Sequence, residues 1–529
     1  MDNSLVYLRP NVLVEPLCQQ WYAWSCLVSP ATAAMYTANA HVKTMKSFVA
    51  SPQVHVAALK DPAMVGGPFI SYGAERAGDI RALLDRTLGE QAHLLQLAAA
   101  IHELDALLAG EAKGYSLEPL YARVPERLRG YVELVYDLNN HPAARFIEGL
   151  LYHSPYYDER AQSVVMSFMN SDQRPFVLST PRLVEPGELQ LPVPFDAEAL
   201  DDLFRAQYHP RPFGDIRERL GVSGGDEELF SSFFTEEPPP PAAAYDGPDV
   251  RIRYFGHACL LLQTRETSIL CDPVISYRYD SEPARYTFAD LPPTLDYVLI
   301  THNHKDHLML EVLLHLRHKI KHLIVPKSGG NSLADISLKL MFQRLGFADV
   351  RELDEMESLA VPGGSITGLP FLGEHGDLNV RSKLAYLLKL DGRSVMCIAD
   401  SNEIDPLLYE RVHHVTGDVD VLFTGMECEG APMSWMYGPL LTKPMLRLMD
   451  QARRLNGSDC EKVGRIMKRF NCRQVYVYAM GLEPWLGHVM ALNYTEASRP
   501  IVESNKLLQS CRAQDIPAER LIYKKDIHL

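Results

Sequence analysis

Residues 301–307 read THNHKDH, which sets three histidines and one aspartate within positions 302–307. They directly follow LDYVLI (295–300), an apolar run that reads as a strand. Alternate residues of a strand share a face, so His302 and His304 point together. Asp306 and His307 join them only if the strand ends near 301 and a loop folds the four side chains around a centre. Lys305 and Asn303 then point away. Neutral imidazoles suit Zn, Fe, Ni or Cu, and a carboxylate adds oxygen character suited to Fe or Mn. A lone H-x-H is a weak signal. H-x-H-x-D-H directly after a strand is a strong one for a metal centre.

The chain around this motif is organised in two halves. Runs rich in β-forming residues recur after 250: VRIRYF, ACLLLQ, SILCD, YVLIT, HLIVP, LAYLLKL, SVMCIAD, VDVLFTG and QVYVYAM. Helical patterns such as 308–320 and 332–344 separate the later ones. Hairpin-like strands first and strand–helix alternation later predict an α/β fold of two sheets covered by helices. Before it stands TEEPPPPAAAYDGPDV (235–250), whose four consecutive prolines favour extended backbone and read as a semi-rigid linker over 236–249. Residues 1–235 read mostly helical. Leu94, Leu97, Ile101, Leu104 and Leu108 mark one apolar face within 78–109, Ser29-Pro30 reads as a helix start, and 117–153 is expected to form two more helices. Residues 1–235 are read as a dimerisation or substrate-channel domain, and 250–529 as the metal domain.

Bulk properties narrow the function. The 529 residues carry a formal charge of −15, which argues against nucleic acid and anionic membranes as general partners. The nine cysteines form no C-x-x-C pair and read as reduced thiols. No apolar run reaches the roughly 18 residues of a membrane span. The opening MDNSLVYLRP carries an acid where a signal peptide needs lysine or arginine, so a cytoplasmic protein is expected.

THNHKDH resembles the signature of the metallo-β-lactamase superfamily, and GHACLLLQTRETSILCDPVIS (256–276), with its Asp272-Pro273 step, is similar to that fold's opening hairpins. The resemblance spans roughly 250–490 and implies an αββα sandwich behind the helical N-terminal domain. It also implies that His302 and His304 serve one metal, that Asp306 and His307 serve a second, and that Asp400 of SVMCIADSN bridges them. Asp272 and His257 are expected to support ligands rather than to be ligands.

The chain departs from the hydrolases of this fold at two points. LPFLGEHGDL (369–378) offers both Glu374 and His375 where those enzymes place a middle histidine, and only one can easily face inward. After QVYVYAM no histidine follows at once, and His488 comes several residues later. If Glu374 is the ligand, three carboxylates and three imidazoles surround the metals. Such a shell suits two ferric ions better than two zincs. This departure resembles the diiron β-hydroxylases that act on amino acids tethered to nonribosomal peptide synthetases. The resemblance implies iron at His302, His304, Asp306, His307, Glu374 and Asp400. It further implies dioxygen and an external electron donor as co-reactants, Glu374 as a carboxylate able to change its binding mode, and a homodimer. The substrate implied is a carrier-bound aromatic amino acid, with L-p-aminophenylalanine as the specific expectation, in antibiotic biosynthesis. A carrier domain needs a basic or apolar patch to dock, and QARRLNGSDCEKVGRIMKRFNCR (451–473) is the densest basic stretch. The competing reading is a dizinc hydrolase of a lactone or phosphodiester. It shares the H-x-H-x-D-H loop and would prefer His375 to Glu374.

Overall fold

The computed structural model describes residues 3–61, 64–241, 244–330 and 332–529. Each β-rich run named above for the second half forms a strand, and the strands assemble into two seven-stranded sheets. The first sheet runs, edge to edge, Val350–Leu353, Ile320–Pro326, Leu295–Leu299, Ser268–Cys271, Cys259–Gln263, Arg251–Gly256 and Lys525–His528. The second runs Ser358–Val361, Gly364–Leu369, Ala385–Leu390, Arg393–Cys397, Val421–Gly425, Gln474–Tyr478 and Ala518–Arg520.

Alternation along the strands builds the layers. Leu260 and Leu262 turn inward and pack with Ile366, Leu388 and Phe423 of the facing sheet, while Cys259 and Leu261 turn outward. Both faces are therefore buried, which explains why these strands read as continuous apolar runs. Helices Pro406–Thr416, Cys460–Arg469 and Arg499–Ala513 cover the second sheet through Tyr409, Val412, Ile466 and Leu507. Helices Leu310–Leu316 and Leu338–Arg344 cover the first. This is the expected αββα sandwich.

Helices predominate before 235, with Pro30–Tyr36, Val42–Ala50, Ala77–Glu90 and Ala92–Glu111 forming the main group. Leu94, Leu97, Ile101, Leu104 and Leu108 are all buried, as their spacing predicts. Pro30 opens its helix, although the Ser29 side chain makes no capping bond. The segment 117–153 departs from the two expected helices. It holds a hairpin, Val132–Tyr136 with Pro142–Phe146, between short helical turns. Asp137 accepts from the backbone of Asn139 and His141, and Asn140 adopts φ +62, so turn chemistry prevails over the helical pattern. A four-stranded sheet around Val12–Cys18 packs on the outer face of the first large sheet and shares its core. The segment 236–249 carries no helix or strand among its described residues; Ala242 and Ala243 lie outside them.

Candidate metal centre

The six expected ligands meet where parallel strands of both sheets end. Strand Leu295–Leu299 stops just before the motif, and a loop wraps 302–307 as the sequence requires. Arg393–Cys397 stops before Asp400, where Ala399 adopts φ +44. Glu374 arrives from a loop in which Gly373, Glu374, Gly376 and Asp377 all adopt positive φ, between +57 and +74. Left-handed backbone is uncommon outside glycine, and at Glu374 it turns the carboxylate inward. Close packing enforces the loop: a Cβ on Gly373 would lie 2.7 Å from Asn402, and one on Gly376 2.5 Å from Met433.

Three groups of ligand atoms result, two of them joined through His302 and the third formed by His257, Asp306 and His307. His302, His304 and Glu374 form one, with His304 Nδ1 2.8 Å from Glu374 Oε1 and His302 Nε2 3.7 Å from Oε2. His302, His307 and Asp400 form the other, with His307 Nε2 3.0 Å and His302 Nε2 3.8 Å from Asp400 Oδ2. Asp306 Oδ2 lies 3.6 Å from His307 Nε2, so Asp306 and His307 face one region, with Asp400 between the pairs.

Hydrogen bonds around the cluster fix which nitrogens are free. Asp272 accepts from Thr301 N at 2.7 Å, from Thr301 Oγ1 at 2.6 Å and from His307 Nδ1 at 2.8 Å. With Nδ1–H held by Asp272, His307 Nε2, 3.0 Å from Asp400 Oδ2, is the nitrogen available to a metal once its own proton leaves. Thr301 Oγ1 also lies 3.0 Å from His302 Nδ1, so it accepts there while donating to Asp272, and His302 Nε2 is likewise free. His257 behaves differently. Gly481 N donates to its Nδ1 at 3.2 Å, so the proton sits on Nε2 and donates to Asp306 at 3.0 Å. Although His257 lies close enough to group with Asp306 and His307, this tautomer makes it a support for Asp306. Asp272 and His257 thus each hydrogen-bond an expected ligand, His307 and Asp306 respectively.

His375 and His488 fall outside the groups found among the described residues. His375 stacks on His304 at 4.5 Å and directs Nδ1 toward Gly373 O at 3.3 Å. His488 has both nitrogens engaged, Nδ1 with Trp485 O and Nε2 with Arg174, each at 2.9 Å. Arg174 also bridges buried Glu15 and Glu311. Tyr437, 3.3 Å from His304 Nε2, and Glu427, at the cavity wall, carry no local sequence signal. They are brought to the site only by the tertiary fold. Lys305 turns from the cluster and sits 4.2 Å over the Trp24 ring.

Electrostatics favour bound cations. Burial pushes the Glu374 carboxyl up to about 7, with Asp400 and Asp306 adding to the shift. Burial, with the same acids and Glu374, raises the Glu427 carboxyl as well. His307 is raised despite its burial, by Asp400, Asp306 and Asp272. Four buried atoms here have no hydrogen-bond partner: His302 Nε2, Glu374 Oε2, Asp400 Oδ1 and His375 Nε2. Three of these four belong to expected ligands, and an unpaired buried polar atom calls for a partner such as a bound ion. The donor set of imidazoles and carboxylates fits two hard or borderline cations.

The cluster forms the floor of a cavity of about 1310 Å³. The helical part contributes Trp21, Tyr36 and Asn39 to its wall, and the metal part contributes Trp435, Lys443 and Arg454.

Fold and site together define a dinuclear metalloenzyme of metallo-β-lactamase fold, enriched in carboxylates. Residues 7–238 match the family model described as a diiron non-heme β-hydroxylase N-terminal domain, and 267–440 match a β-lactamase superfamily domain. A Streptomyces venezuelae protein named 4-amino-L-phenylalanyl-[CmlP-peptidyl-carrier-protein] 3-hydroxylase is 41% identical over 529 residues, 99% of each chain. The crystal structure of CmlA, a diiron β-hydroxylase of the same organism, is 40% identical, covers 100% of both chains and has a TM-score of 0.94. A CmlA variant structure gives 0.92 over 99% of this chain and 100% of that one, also at 40% identity. The chain belongs to the diiron non-heme β-hydroxylase family. It is an enzyme of that class, and the oxygenase reading stands above the zinc-hydrolase alternative.

Proposed function

We propose that this enzyme hydroxylates the β-carbon of 4-amino-L-phenylalanine held as a thioester on the carrier domain of a nonribosomal peptide synthetase. His302, His304 and Glu374 would hold one iron, Asp306 and His307 the other, and Asp400 would serve both. Residues 250–529 form the metal domain; residues 1–235 close the cavity over it and carry the dimer contact. The observation that carries this reading is Glu374, turned inward by its left-handed backbone against His304 in a buried cluster with unpaired donor atoms. The 41%-identical relative, named for this reaction on a peptidyl carrier protein, supports the substrate.

The overall change inserts one oxygen atom into a C–H bond. The second atom of dioxygen leaves as water, taking up two protons and two electrons from an external donor. When bound, the diiron pair supplies the redox chemistry that couples dioxygen reduction to C–H oxidation. The chain's own residues hold and aim it. Asp272, directly and through Thr301, sets the tautomers of His307 and His302, and His257 anchors Asp306. Lys383 Nζ donates to Gly373 O at 3.1 Å and steadies the Glu374 loop. The cavity admits a tethered substrate and keeps its β-carbon near the cluster.

The test is turnover of the carrier domain loaded with 4-amino-L-phenylalanine, in the presence of dioxygen and reductant. The expected product gains one oxygen by mass, on the β-carbon by NMR. Iron-loaded protein that leaves the loaded carrier unchanged yet hydrolyses lactones or phosphodiesters would overturn the reading.

A further inference from the structure

Most of the basic stretch 451–473 is paired within the fold. Arg465 pairs with Glu403 and Glu461, Arg469 with Glu410, and Arg473 with Asp420. Arg453 and Arg454 donate to Gly376 O and Gly430 O. Most of these cations are thus engaged within the fold, and Lys468 stays exposed.

A different surface stands beside the cavity mouth. Trp435, Lys443 and Pro444 line the mouth, and Trp435 is 46% exposed. The chain then enters the short helix Arg447–Ala452, none of whose residues is buried. Leu446, Leu448 and Met449 are 69%, 80% and 55% exposed. The helix is pinned from behind, since Asp450 accepts from Ser434 N at 3.0 Å and from Ser434 Oγ at 2.6 Å. Its apolar side chains therefore stand on a fixed support. Arg447 is exposed and has no ion-pair or hydrogen-bond partner among the described residues. Lys443 and Lys43 add positive charge at the mouth, the former 3.6 Å from Asp105. On a chain of net charge −15, an apolar patch flanked by cations at the entrance to the metal cavity runs against the mean surface.

We propose that Leu446, Leu448, Met449 and Arg447, with Trp435 at the rim, form the docking face for the carrier domain, through an acidic and apolar surface of that partner, and that its tethered arm enters the adjacent cavity. This rests on the function proposed above. The occupant follows from position and charge. A tethered substrate must enter at this mouth, and an acidic partner complements the flanking cations while its apolar side chains cover the leucines.

The test compares wild type with Leu448→Asp, Arg447→Glu and Lys468→Glu, the last being an exposed cation on the basic helix. The substrate is the peptidyl carrier domain of the Streptomyces venezuelae relative loaded with 4-amino-L-phenylalanine. Leu448→Asp and Arg447→Glu are expected to raise KM for the loaded carrier by about ten- to a hundred-fold, with iron content unchanged. Lys468→Glu is expected to match wild type. Wild-type KM in the two mouth variants overturns the docking face, as does a KM increase confined to Lys468→Glu. A wild-type dimer that either mouth variant splits assigns the face to a second copy and also overturns it. Wild type that hydroxylates no loaded carrier fails the function itself, which is a distinct result.

Discussion

Replacing Asp272 with asparagine removes one charge and disturbs both ends of the cluster. The carboxylate accepts three hydrogen bonds in a fully buried position, two from Thr301 and one from His307 Nδ1. Asparagine keeps one acceptor oxygen, which can retain the Thr301 backbone bond. The Thr301 hydroxyl and His307 Nδ1 both donate to the other oxygen, Oδ2, so the amide nitrogen that replaces it opposes His307 Nδ1–H and forces the Thr301 hydroxyl to turn from donor to acceptor. His307 loses the partner that sets its tautomer, and His302 loses the hydroxyl orientation relayed through Thr301. Loss of such a supporting carboxylate lowers metal affinity by about 10- to 100-fold, roughly 1.4–2.7 kcal/mol per ion. Because Asp272 supports histidines of both subsites, both irons are expected to weaken. Lost bonds to a charged acceptor add a folding cost of about 1.5–3 kcal/mol each. The assay is iron retained after dialysis against graded chelator, beside apo-protein stability in urea. Asp272→Asn protein that keeps both irons at wild-type chelator concentrations would refute the claim that Asp272 governs the two tautomers.

Three other outcomes follow from the packing. Gly425→Ala places a methyl 2.6 Å from Asp400 Oδ1 and 2.7 Å from Ala399 O, so iron content should fall and stability drop by about 1–3 kcal/mol, measured by metal analysis and urea unfolding. Arg174→Met leaves Glu311 buried without its cation and Glu15 with Arg182 alone, 3.3 Å away, a loss of about 3–5 kcal/mol read in the same unfolding assay. Glu148, whose carboxylate accepts from Ser337 N at 3.1 Å, is pushed by burial to about 7 from an ordinary 4.5. Its folded pKa lies above its unfolded one, so stability is lost as pH rises from 4.5 through 7, by about 3 kcal/mol at most. Glu148→Gln should therefore raise Tm over wild type at pH 8 and leave it nearly unchanged at pH 5.

The sequence carried the metal motif because its residues are local: His302, His304, Asp306 and His307 follow one strand and need only a turn to converge. The strands were equally readable, since Leu260 to Leu262 and their neighbours are buried on both faces. Glu374 and His375 were inseparable by pattern. What separates them is a positive φ at Glu374, fixed by Asn402 and Met433 packing against the glycines on either side. The tautomer of His257 depends on Gly481, and the wall at His304 depends on Tyr437; both lie more than a hundred residues away in the chain. The hairpin at 132–146 was misread because a helical pattern of apolar residues there masks an Asp137–His141 turn. The ion pairs of the basic run at 451–473 carry no local signal, because the partners Glu403, Glu410 and Asp420 come from distant segments.

The most direct measurement is metal content with Mössbauer spectra of aerobically purified wild type and Glu374→Ala. Two irons per chain as one coupled pair are expected in wild type, with the subsite of His302 and His304 depleted or altered in the variant. Two zincs in wild type, or an unchanged iron pair without Glu374, would contradict the account.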